Sequence, residues 1–100
     1  MNFVISNKNK ENIINLMRRI QYSFQREDID TEDKSFVRIL SSSNYPRFHL
    51  FVRKEGENLS FNLHIDKIKP VHKGAKAHQG EYEGELVQEE RERIQKILNQ

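Results

Sequence analysis

The chain has no cysteine, so disulfide bonds and thiolate metal sites are excluded. It also lacks long apolar runs. The N-terminal region offers only the apolar residues 3–5, which is too short for the core of a signal peptide. No segment reaches the length of a transmembrane helix. We therefore expect a cytoplasmic protein that has no membrane partner.

Net charge and glycine are also low. The formal net charge of +2 is too small to indicate nucleic-acid binding by itself. Three of the four glycines lie in the segment 67–84, KIKPVHKGAKAHQGEYEG, which has no acidic residue before position 81. A long basic segment of this kind is typical of binding loops and active-site lids, and equally of flexible connectors. The length of 100 residues predicts a single domain, 1–100.

Residues 47–66, RFHLFVRKEGENLSFNLHID, predict a β-hairpin. Apolar residues recur at every second position on both sides of the turn sequence 55–58, which is the pattern of half-buried strands. A loop of two or four residues sets Leu50 opposite Leu63, Val52 opposite Phe61 and Phe48 opposite Ile65. A three-residue loop would shift the register by one and expose half of the apolar set. The even-numbered loop is therefore expected.

The same register predicts what the other face of the hairpin carries. Opposed side chains have Cβ atoms about 4.5–5.5 Å apart, so four cross-strand pairs form one compact group. These pairs are Arg47 with Asp66, His49 with His64, Phe51 with Asn62, and Arg53 with Ser60. A face of this composition indicates a site of function.

Helical periodicity appears on both sides of the strands. Apolar residues at three- and four-residue spacing predict amphipathic helices over 10–26 and from 85 to the C-terminus. Residues 35–41 read as a third strand whose facing is ambiguous, because apolar side chains fall on both sides of it. The expected fold is α+β, a two-layer sandwich in which a three-stranded antiparallel meander carries two helices on one face (α-β-β-β-α). Residues 3–5 leave open an extra short N-terminal strand.

The leading functional hypothesis is a binding domain for a phosphate-bearing ligand, with RNA or DNA as the expected partner. Arginine binds phosphate bidentately, and an aromatic ring beside it offers a stacking platform for bases. Lysines of the basic segment would close over the ligand backbone. The predicted ligand-binding residues are Arg47, Phe51, Arg53, Asn62, Lys67, Lys69, Lys73 and Lys76.

An alternative hypothesis is a metal-dependent or acid–base hydrolase on the same face. His49, His64 and Asp66 are its candidate catalytic residues. With a histidine from the basic segment, the same three side chains would hold a divalent metal such as zinc. The metal-ligand candidates are His49, His64, Asp66, His72 and His78. Equally, Asp66 can pair with Arg47 across the strands, which would occupy the carboxylate.

A third hypothesis is structural, with the polar face serving as a homo-oligomer interface. Residues 61–94, FNLHIDKIKPVHKGAKAHQGEYEGELVQEERERI, resemble short uncharacterised bacterial proteins. The resemblance covers about a third of the chain. It implies a bacterial cytosolic domain and no particular activity.

Overall fold

Five strands and two helices follow one another along residues 1–67 and 81–99, the part of the chain that the computed structural model describes. In chain order they are β1 (Asn2–Ser6), α1 (Ile13–Arg19), β2 (Ser23–Glu27), β3 (Lys34–Ile39), β4 (Arg47–Glu55), β5 (Asn58–Asp66) and α2 (Glu81–Leu98).

All five strands form one antiparallel sheet in the order β1-β5-β4-β3-β2. The predicted α+β class is confirmed, but the three-stranded meander is wrong, because β1 and β2 extend the sheet at its two edges. The apolar residues 3–5 belong to β1, where Phe3 and Ile5 face Phe61 and Leu59 of β5. The extra N-terminal strand therefore exists and pairs with the hairpin.

The predicted helix over 10–26 is the main error. Gln21 takes a left-handed backbone with φ of +71°. The N–H of Tyr22 donates to the Met17 carbonyl at 2.9 Å, and the N–H of Gln21 donates to the Arg18 carbonyl at 3.0 Å. This is a Schellman closure, which ends α1 at Arg19 and turns the chain into β2. Phe24 has the spacing of a helical stripe but lies on that edge strand, 48% exposed.

The predicted hairpin is confirmed in its register. β4 and β5 pair with Leu50 opposite Leu63, and the ladder closes at Glu55 and Asn58 around the two-residue turn of Gly56 and Glu57. Gly56 has φ of +61°, a conformation that glycine adopts without the steric cost that a Cβ imposes.

The core lies between one face of the sheet and the two helices. Phe36 of β3 faces Leu50, so the ambiguous third strand turns Phe36 inward. The buried apolar side chains form one cluster that joins sheet and helices: Phe3, Ile5, Leu16, Met17, Ile20, Tyr22, Phe36, Phe48, Leu50, Val52, Leu59, Phe61, Leu63, Val87 and Ile94. Both helices therefore cover the side of the sheet that carries Leu50 and Leu63, as predicted.

A buried carboxylate fastens α2 to this core. Glu90 is 4% exposed and accepts a hydrogen bond of 2.7 Å from the Tyr22 hydroxyl. It also accepts one of 3.0 Å from Arg38 of β3 and bonds of 2.8 and 3.0 Å from Arg93. Arg93 in turn donates to the carbonyl of Ile20, next to the C-terminus of α1. Glu90 and Arg93 together thus link α2 to β3, to Tyr22 just before β2 and to the end of α1.

Candidate functional site

The sheet surface opposite the helices is called here the open face. No helix packs on it within residues 1–67 and 81–99. The four predicted cross-strand pairs of the hairpin all occur on it. The neighbouring strands add further side chains, since those of Ser35, Val37 and Ile39 on β3 and of Asn2 and Val4 on β1 share its register.

A chain of hydrogen bonds crosses three strands of the open face. Ser35 Oγ lies 2.5 Å from His49 Nε2, and His49 Nδ1 lies 3.2 Å from Asp66 Oδ2. Arg47 Nε donates to the same carboxylate oxygen at 3.3 Å. We call Ser35, His49 and Asp66 the relay. The alternative foreseen from the sequence, an Arg47–Asp66 pair that occupies the carboxylate, is therefore present.

An irregularity in β2 contributes a fourth member to this group. The register slips between Phe24 and Arg26, so Gln25 is an extra residue opposite β3. Such a bulge redirects a side chain, and here the Gln25 amide oxygen lies 2.9 Å from Ser35 Oγ. A hydroxyl has one proton, so Ser35 cannot donate to Gln25 and to His49 at once.

The protonation state of His49 decides between these two donations. Burial lowers the pKa of His49 below its ordinary value of 6.5, although the Asp66 carboxylate acts in the opposite direction. At neutral pH the ring is therefore uncharged. Its Nδ1–H then donates to Asp66, which leaves Nε2 as an acceptor that competes with the Gln25 amide oxygen for the single proton of Ser35. Protonation of the ring would turn the Ser35 hydroxyl toward Gln25.

Acidification is expected to lower the melting temperature between about pH 7 and about pH 5, because the unfolded chain takes up protons before the folded one does. The pKa of His49 is lowered in the folded state, and desolvation lowers the pKa of His64 as well. The stability that these two neutral histidines contribute is complete above their ordinary pKa of 6.5. It is lost as pH falls through their lowered pKa values in the folded state. Scanning calorimetry of wild type and His49→Gln is the measurement.

Wild type and His49→Gln are compared by the slope of melting temperature against pH. Their absolute melting temperatures are not compared, since His49→Gln also removes the relay. The variant should show a flatter dependence on pH than wild type. Asp28 and Asp33 have pKa values below their ordinary 3.8 and so titrate outside this window. A wild-type melting temperature that rises on acidification through the window would contradict the assignment.

The relay has the residue order of a hydrolase triad, in which a carboxylate orients histidine and histidine activates serine. Its setting differs. Ser35 is only 3% exposed, and it lies in the interior of the sheet with β2 and β4 on either side. Both ring nitrogens of His49 are already engaged. The geometry therefore favours the relay as a device that fixes the orientation of the imidazole ring.

The ring that His49 supports is Phe51. The two rings stack with centroids 4.4 Å apart and an interplanar angle of 26°. His64 meets Phe51 edge-on at 5.9 Å and 77°. Predicted as a stacking platform, Phe51 is in contact with both imidazoles of the open face.

Beside Phe51 the open face has a depression of about 400 Å³. Three predicted ligand-binding residues, Phe51, Arg53 and Asn62, take part in its lining. This volume lies within the range of about 300–1,000 Å³ that is usual for small-molecule sites. Its other lining residues are Asn2, Asp33, Val52 and Ser60.

The two arginines of the open face are engaged differently. Arg47 is 16% exposed, binds Asp66, and lies over the Tyr45 ring at 4.6 Å. Arg53 is 56% exposed and donates hydrogen bonds to the Asp33 carboxylate from Nε and Nη2, at 2.9 and 2.8 Å. That hydrogen bonding lowers the pKa of the Asp33 carboxyl. Since an exposed ion pair contributes little to stability, Arg53 is the arginine that a ligand can recruit.

Most of the predicted basic segment 67–84 lies outside the described residues. Lys67 follows β5 and is exposed, whereas Lys69, His72, Lys73, Lys76 and His78 lie outside the described residues. The end of the predicted segment is helical, because α2 begins at Glu81 rather than at 85. In the described ranges no group of three or more histidine, aspartate or glutamate side chains is placed to hold a metal. His49, His64 and Asp66 share the open face without forming such a group.

Sequence reasoning missed several residues of this face. Ser35 and Gln25 complete the relay, Asp33 holds Arg53, and Asn2 lines the depression. For Ser35 the signal was ambiguous, since it shares a side with Val37 and Ile39 on a strand that is apolar on both sides. For Gln25 and Asp33 there was none, because a bulge and a connecting turn place them.

No protein-family model matches the chain, and a search of curated proteins finds no match. Within the described residues, no helix is both long and apolar enough to cross a membrane.

Proposed function

We propose that the open face binds a phosphate-bearing ligand, and that this ligand is a single-stranded nucleic acid. The observation that carries the proposal is the depression of about 400 Å³ beside the Phe51 ring, on which His49 stacks. A rigid ring next to amide groups and an arginine suits a nucleotide unit, which has a flat base at one end and a phosphate at the other.

Each part of such a nucleotide has a matching group in the depression. The base stacks on Phe51, while Asn2, Ser60 and Asn62 offer amide and hydroxyl groups to its edge. The phosphate binds Arg53, whose hydrogen bonds to Asp33 use Nε and Nη2 and so leave Nη1 for a ligand. Lys67, together with Lys69, Lys73 and Lys76, is proposed to add charge along the backbone.

The relay supports binding rather than hydrolysis. Its buried serine and fully engaged histidine offer no accessible nucleophile or base, whereas both help to hold the platform ring still. A preorganised platform reduces the entropy lost on binding. A rigid stacking surface is therefore the more direct use of this geometry.

Single-stranded oligonucleotides are expected to bind with an affinity that falls as salt rises. Fluorescence anisotropy with a labelled strand at several salt concentrations measures both the affinity and the salt slope. Phe51→Ala removes the stacking platform and should cost about 1–3 kcal/mol of binding free energy. Arg53→Ala should reduce the salt slope by about 0.7, the value for one phosphate contact on a single strand.

Two further variants sharpen this experiment. Asp33→Asn releases Arg53 from its carboxylate and should strengthen binding, a direction opposite to that of Arg53→Ala. Arg18→Ala removes an exposed positive charge from α1, on the other layer of the molecule, and should leave affinity nearly unchanged. If Phe51→Ala and Arg53→Ala bind like Arg18→Ala, the open face is not the nucleic-acid site.

A further inference from the structure

A second depression lies on the helix side of the sheet, at the end where the β4–β5 turn meets the start of α1. Its volume is about 310 Å³. It shares no lining residue with the depression on the open face. We call it the lysine pocket. It is lined by Asn7, Lys10, Glu11, Asn12, Ile13, Ile14, Lys34, Lys54, Gly56, Asn58 and Leu59.

The register of the sheet brings two of its lysines together. Lys34 is opposite Val52 in the β3–β4 ladder, and Lys54 is two residues beyond Val52 on the same face. Residues in this diagonal relation are about 7–8 Å apart. Lys10 joins them from the connection between β1 and α1. Three lysines thus line one pocket.

Two of these lysines form no ion pair within the part of the chain that the structure describes. Lys34 pairs with Glu27 at 3.5 Å, and the one carboxylate of the lining, Glu11, pairs with Arg19 at 3.6 Å. Lys10 and Lys54 form no ion pair with any residue in 1–67 or 81–99. An anion in the pocket would therefore be attracted by lysines that no carboxylate of the described residues neutralises.

Part of the remaining lining is apolar. Ile13 and Ile14 are half-buried and line the pocket together with the buried Leu59, whereas Asn7, Asn12 and Asn58 are polar. We propose that the lysine pocket binds a small molecule that carries a phosphate monoester on an apolar body. A phosphate monoester has a charge of about −1.5 to −2 at neutral pH, which matches the two unpartnered lysines.

Phenyl phosphate is the probe for this site, because it combines a phosphate monoester with an apolar ring. Titration followed by two-dimensional ¹H–¹⁵N NMR should give saturable shifts of the Gly56 and Leu59 amides. Inorganic phosphate, benzoate and phenol test the head group alone, a monoanion and the ring alone. All three should bind more weakly than phenyl phosphate. Equal binding of phenol would overturn the assignment of an anion site.

Three lysine variants complete the test. Lys10→Met and Lys54→Met should each weaken phenyl phosphate binding about tenfold, as expected for loss of one charge-assisted hydrogen bond. Lys8→Met removes an exposed lysine two residues from Lys10 that does not line the pocket, and should bind like wild type. Equal weakening in all three variants, or no saturable shift at Gly56 and Leu59, would overturn the proposal. Neither result depends on whether the open face binds nucleic acid.

Discussion

Replacing Glu90 with alanine is expected to lower the free energy of unfolding by about 3–5 kcal/mol, the usual cost of removing one partner from a buried ion pair. The change would leave Arg93 and Arg38 without their carboxylate. It would also leave the buried Tyr22 hydroxyl without an acceptor. Burial and the neighbouring carboxylate raise the pKa of Tyr22, so this hydroxyl stays protonated and needs an acceptor at every ordinary pH. Urea denaturation followed by circular dichroism measures the loss.

The neighbouring Glu89 provides the matched control. It lies on the same helix but is exposed, and Glu89→Ala should change stability by less than about 0.5 kcal/mol, as is usual for surface positions. The changes in charge and in helix propensity are the same in both variants. If the two variants unfold at the same urea concentration, the network around Glu90 does not fasten α2 to the sheet.

Phe61→Ala is expected to destabilise the fold by a similar amount, about 3–5 kcal/mol, because it removes a buried aromatic side chain and leaves a cavity. Phe61 has no exposed surface and meets the Phe3 ring edge-on at 5.2 Å. Thermal and urea unfolding of the variant measure the effect. Loss of the ring should also weaken the attachment of β1, since Phe3 packs directly on it.

Phe24→Ala makes the same chemical change at a position of opposite character. Phe24 is 48% exposed on the edge strand β2, so its loss should cost clearly less than that of Phe61. If Phe24 instead belonged to a helical core stripe, as its spacing predicts, the two variants would be equally destabilised. The pair of measurements therefore tests the placement of β2 as well as the core.

The hairpin was predictable because two independent constraints agree there. Alternating apolar residues in both strands select a register, and the turn residues around Gly56 suit a short loop that preserves it. A shift by one residue would expose half of the apolar side chains. Contacts with distant parts of the chain are therefore not needed to select this register. The same logic correctly placed His49 opposite His64 and Arg47 opposite Asp66.

The boundary between α1 and β2 was not predictable in the same way. Ile20 and Phe24 have helical spacing, and four residues are too few to separate helix from strand by periodicity. The left-handed backbone of Gln21 ends α1, and pairing with the edge of β3 makes the next residues a strand. A tertiary contact therefore overrides the local pattern.

The relay shows why the site was only half found. His49, Asp66 and Arg47 belong to the hairpin, so their proximity follows from its register. Ser35 belongs to a strand that is apolar on both sides, and its facing is fixed by the pairing of Phe36 with Leu50. Such long-range pairing leaves little trace in a single sequence.

The bulge at Gln25 also affects how the sheet meets other molecules. A regular edge strand exposes a row of unpaired backbone groups that can template the strand of another chain and start aggregation. A bulge breaks this spacing and increases the local twist, and Arg26 and Glu27 place charges beside it. Intermolecular strand addition is therefore disfavoured along β2, and in the described sheet β1 is the edge where an incoming strand would find a regular ladder.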